Sequence, residues 1–103
     1  MLVTVNNKLY VLEFKHIWEA VGETKMGGRR AKPVSTLCML YDGKKGEAIA
    51  VGQALLHWKD QYVKATGRKV ALRKALLSVK HFDYNFRKEF WRQYLIAYPP
   101  KED

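Results

Sequence analysis

A chain of 103 residues has room for one domain with a modest core, and its 48% hydrophobic and 13% aromatic content is too rich for a disordered chain. Nineteen Lys and Arg face ten Asp and Glu, a formal net charge of +9. That excess repels itself in the folded state and directs attention to acidic partners: nucleic acid, an acidic protein surface or an anionic membrane.

The opening segment Met1–Asn7 has neither the basic start nor the long apolar stretch of a signal peptide, so a cytoplasmic location is expected. Leu2 to Val5 reads as a short strand. Asn6-Asn7-Lys8 reads as a turn, because Asn tolerates positive φ. Leu9 to Ile17 alternates, with Tyr10, Leu12 and Phe14 on one face and Val11, Glu13 and Lys15 on the other, which predicts a β-hairpin over 2–17. Gly22, Gly27, Gly28 and Pro33 break any period, so 22–33 is expected to be a basic, glycine-rich loop, open to motion. Val34 to Tyr41 suits a third strand, and Asp42-Gly43-Lys44-Lys45-Gly46 a hairpin turn. Glu47 to Leu56 suits a fourth strand, with Gly52 at a bulge. The apolar run Thr36–Leu40 places the single cysteine, Cys38, where a buried, inert thiol is expected, and one cysteine excludes an intramolecular disulfide.

The second half reads as helices. Asp60 is the expected N-cap of a helix from Gln61 to about Val79, whose apolar stripe is Leu72, Ala75, Leu76 and Val79. Gly67 lies inside it as a weak point or a break. Asp83 can cap a second helix to about Tyr98, with Phe86, Phe90 and Tyr94 on one face, before Pro99-Pro100 stops it. The fold expected is α+β: a small antiparallel sheet of three to four strands in the N-terminal half, packed against two C-terminal helices, in one domain over 1–103. No run of about 18 apolar residues is present, so no membrane-spanning helix is expected.

Two basic segments stand out. Residues 59–80 hold seven Lys and Arg, and Asp60 is their sole carboxylate. Lys64 and Arg68 are four apart, as are Lys69 and Arg73, and Lys74 follows. Like charges at this spacing are neighbours on a helix and mildly destabilise it, so a helix that carries them without interleaved Glu suits a phosphate-docking face. A plain solvated face is the competing reading. The loop adds Lys25, Arg29, Arg30 and Lys32, where glycines let the backbone approach a groove and arginines can fork onto phosphate oxygens. A surface loop of an ordinary basic protein competes with that. It lacks the Gly-Lys-Ser/Thr ending of a phosphate loop.

The aromatics Trp58, Tyr62, Phe86, Phe90, Trp91, Tyr94 and Tyr98 fall at helical spacing, which favours core packing over base stacking; Trp18 and Tyr84 are better placed for exposure. His16, His57 and His81 are too scattered for a metal site, no nucleophile–base arrangement is visible, and no cofactor is expected.

The stretch from Lys59 to Leu76, with Gly67-Arg68-Lys69 set against an Ala-Leu helix and with Trp91 and Tyr94 following, resembles small bacteriophage-encoded accessory proteins of unassigned function. About 35 residues carry the likeness. It implies a setting in which a small protein binds a host or phage machine, and it brings no functional residue with it. The expectation is a non-enzymatic protein that binds DNA or RNA through Lys64, Arg68, Lys69, Arg73 and Lys74, with Lys25, Arg29, Arg30 and Lys32 clamping from the loop. The alternative is an inhibitor of a host or anti-phage defence complex that docks on an acidic protein surface.

Overall fold

The computed structural model describes residues 1–23, 29–43, 46–56 and 63–100. The elements run β1 (Leu2–Val5), β2 (Lys8–Glu23), β3 (Arg29–Asp42), β4 (Ala50–Leu55), α1 (Lys64–Leu77) and α2 (Tyr84–Ala97). The four strands form one antiparallel sheet in sequence order, and both helices cover the same face of it. The fold is α+β, as the sequence predicts.

Local chemistry explains most of the connections. Asn6 and Asn7 take φ of 53° and 63°, which gives the β1–β2 turn a twist that matches its strands. Asp83 caps α2, its carboxylate accepting a hydrogen bond from the Phe86 backbone N–H at 2.8 Å. At the free edge of the sheet, the Gln93 side chain of α2 bonds both backbone groups of Thr4: its Nε2 donates to the carbonyl (2.6 Å) and its Oε1 accepts from the N–H (3.1 Å). The edge of β1 is thereby partly satisfied by a helix.

The two helices meet the sheet differently because their inner faces differ in size. α1 buries Ala71, Leu72, Ala75 and Leu76 and lies so close to β4 that a Cβ on Gly52 would collide with the Ala71 carbonyl oxygen and the Ala75 nitrogen. α2 buries Phe86, Phe90 and Tyr94 and stands off on aromatic rings. Tyr10 meets Phe86 edge-on at 5.4 Å between centroids, and Phe14 meets Tyr94 at 5.9 Å. Val3, Leu12, Cys38 and Leu40 fill the sheet side of this core.

Three expectations need correction. The segment 22–33 is not a loop throughout. β2 continues to Glu23 and β3 begins at Arg29, so β2 and β3 run on beyond β1 and β4 as a two-stranded ribbon in which Trp18 opposes Pro33 and Glu19 opposes Lys32. Proline is tolerated here because a single strand borders this part of β3, and the register shifts between Ile17 and Trp18 beside it. Gly52 marks no bulge: it pairs in register with Cys38, and its missing side chain serves the approach of α1. α1 begins at Lys64, with Val63 at its N-cap and no side-chain bond there. The expected cap, Asp60, lies outside the described residues. The helix runs through Gly67 unbroken, because that position faces the Thr36 side chain, where a Cβ would crowd.

Candidate nucleic-acid interface

The cations expected to form one stripe on α1 divide by azimuth. At about 100° per residue, Lys64 and Arg68 fall on the sheet-facing side, Lys69 and Arg73 on one flank, and Lys74 on the other flank. Arg68 is used for packing: its guanidinium carbon lies 4.6 Å from the centre of the Tyr98 ring, and its buried Nε has no hydrogen-bond partner. The charge stacks on an aromatic face at the end of α2, and the aliphatic stem lies along apolar surface. Lys64 and Arg68 also lie close enough to His16 to depress its pKa, after burial, the larger cause.

The loop cations fare differently. Lys25 lies outside the described residues. Arg29 and Arg30 open β3, but their side chains also lie outside the described part. Lys32 is exposed. Strand pairing sets Glu19 opposite Lys32, so a carboxylate thirteen residues away in the chain dilutes a run that reads as purely basic.

The structure brings together a set that the sequence analysis does not single out. Between α1 and α2 opens a cleft of about 700 Å³, lined by Arg73 from α1 and by Arg87, Lys88 and Arg92 from α2, with Tyr84, Trp91 and exposed leucines among them. Arg87 is fixed at the joint of the two helices, where its Nη1 donates to the Phe82 carbonyl at 2.7 Å. Arg92 is held by Glu89 through two bonds of 2.9 and 2.6 Å, and this pairing lowers the Glu89 carboxyl to about 2. Among the described residues, Arg73 and Lys88 belong to no salt bridge; those present are Lys8–Asp42 and Arg92–Glu89. The signal in the sequence was the spacing of Tyr84, Lys88, Trp91 and Leu95, which lie three or four apart and so share one flank of α2.

Expectations for single residues fare well. Tyr84 is 68% exposed and Trp18 50%, while Phe86, Phe90 and Tyr94 are in the core. Trp91 is half-buried and reaches the cleft. Trp58 and Tyr62 lie outside the described residues. Cys38 is fully buried, and burial pushes its thiol up to about 12. No group of three metal-ligating side chains occurs among the described residues, and none of their helices is long and apolar enough to cross a membrane.

No protein-family model, curated protein or solved structure matches the chain.

Proposed function

We propose that the chain is a non-enzymatic accessory protein, of phage derivation, that binds DNA or RNA through its helical side. The observation that carries this reading is the segregation of charge. Residues 63–100 hold nine Lys and Arg and only two carboxylates, and four of those cations line one cleft together with Tyr84 and Trp91. Cations that follow a phosphate backbone, interleaved with aromatic faces on which bases stack, are what single-strand binding requires. Lys69 precedes Arg73 by one turn on the same flank and extends the phosphate track. The ribbon bearing Arg29, Arg30 and Lys32 supplies a second arm, since a two-stranded β-ribbon fits the major groove of a duplex. The phage setting rests on the resemblance of residues 59–76 alone.

The test is a titration with single- and double-stranded nucleic acid at rising salt. Four phosphate contacts give a slope of log affinity against log salt of about −3 to −4. Replacing Arg73 and Lys88 together with Ala is expected to reduce that slope by nearly two on duplex DNA, at about 0.9 per phosphate. A slope near zero for the native chain would overturn the reading. A stoichiometric partner pulled from bacterial lysate that survives nuclease would support the protein-binding inhibitor instead.

A further inference from the structure

The cleft between α1 and α2 holds more apolar surface than phosphate docking requires. Leu77 and Leu95 line it at 54% and 39% exposure, beside half-buried Trp91 and the open ring of Tyr84. Its volume of about 700 Å³ is that of a site for a small organic ligand, with room for roughly one or two nucleosides. A phosphate backbone alone would cover these side chains with polar groups and give them no apolar partner. A duplex does the same, because its bases stay stacked inside and turning one out is costly. The bases of a single strand carry no such cost, and each offers a flat, largely apolar face next to its phosphate.

The order of side chains on α2 matches that ligand. Tyr84 and Trp91 are seven residues apart, about 10 Å along the axis. Lys88 stands exposed between them on the same flank, and Arg73 lines the cleft from α1. Among the described residues neither cation belongs to a salt bridge. Ring, cation and ring repeat the alternation of base and phosphate along an extended strand. The indole of Trp91 is already held in place, meeting the buried Tyr94 ring edge-on at 5.5 Å, so little side-chain freedom is lost when a base lands on it. An acidic helix of a partner protein would satisfy the cations and the leucines but bring no flat face to the two rings. We infer that this cleft, on the polyanion reading above, on which this step rests, receives single-stranded nucleic acid with one or two bases turned inward onto Trp91 and Tyr84. It distinguishes a single strand from a duplex by those bases.

Fluorescence anisotropy of short labelled strands of equal length, titrated with the full chain over a salt series, tests this. The ligands are an ordinary single strand, an abasic strand that keeps every phosphate and lacks every base, and the matching duplex. The ordinary strand is expected to bind about 5- to 150-fold more tightly than the abasic strand for each base stacked, with the same salt slope because the phosphates are the same. Trp91→Leu and Tyr84→Ala are each expected to reduce that preference by roughly fivefold or more, Trp91→Phe to keep most of it, and all three to leave the affinity for duplex unchanged. Tyr84 is 68% exposed, so Tyr84→Ala keeps the fold, checked by far-UV circular dichroism, even if Trp91→Leu does not. Equal affinity for ordinary and abasic strands with a steep salt slope, equal losses on single strand and duplex, or folded variants that bind the single strand as the wild type does would each overturn the inference and leave phosphate binding standing. No salt-dependent binding to any of the three ligands would overturn the phosphate reading, and this inference with it.

Discussion

His16 reports on the end of α1 where the first two expected phosphate ligands lie. Its Nδ1 shares a hydrogen bond of 2.9 Å with the Thr36 hydroxyl. Burial lowers its pKa from 6.5, and Lys64 and Arg68 lower it further. A histidine whose folded-state pKa lies below its unfolded value binds fewer protons when folded. Its contribution to stability is complete above pH 6.5 and declines as the pH falls from there through the folded pKa. An NMR titration of the imidazole is therefore expected to give a midpoint below 6.5. Saturating nucleic acid is expected to move that midpoint back up if phosphates neutralise Lys64 and Arg68. An unchanged midpoint, with binding established by other means, would confine the phosphate track to the cleft. Arg68 differs in role from what its position in the chain suggests. Its spacing to Lys64 points to a surface pair, while the Tyr98 ring beneath it makes it part of the packing.

At the scale of elements, the join between β4 and α1 is the least forgiving. Gly52 has helix backbone directly above it, so the nearest atoms cannot rotate aside. Gly52→Ala is expected to destabilise the fold by about 3 kcal/mol or more, measurable as a lowered urea midpoint. At Gly67 an added Cβ would strike the Thr36 hydroxyl at 2.5 Å, a buried β-branched side chain bonded to His16, which offsets the roughly 1 kcal/mol a helix gains from Ala in place of Gly.

Most elements could be read from the chain because their signals are local: alternation in β2, paired asparagines at a turn, and Asp83 before an aromatic face at helical spacing. The ribbon could not. Three glycines and a proline argue for irregular backbone, and the partners that keep β3 extended lie six to fifteen residues away. The cleft was hidden for a similar reason. Charge density on α1 is visible in sequence, but the angular division of its cations follows from which side meets the sheet. The contribution of α2 depends on two helices converging at Arg87.

As a whole, the molecule is elongated, 55 × 37 × 21 Å along its principal axes, and among the described residues nine of the fourteen Lys and Arg belong to the helical segment 63–100. The ribbon projects past the part of the sheet that β1 and β4 flank. β1 pairs with β2 only as far as Val11, and β4 with β3 only from Ser35. Beyond Ile17, among the described residues, each strand of the ribbon therefore has one neighbouring strand, and alternate peptide groups along both of its rims face none. Those rims are chemically the same as the growing edge of any sheet, and the Glu19–Lys32 pairing puts charge on the ribbon, a feature that discourages indiscriminate strand addition. An isolated pair of strands is marginal in water, so backbone deuterium uptake is expected to run quickly through Trp18–Glu23 and slowly through Tyr10–Phe14 of the same strand. A slow root and a fast tip within one unbroken strand is the contrast expected of that experiment, because the same backbone passes from the interior of a sheet into a pair of strands standing alone.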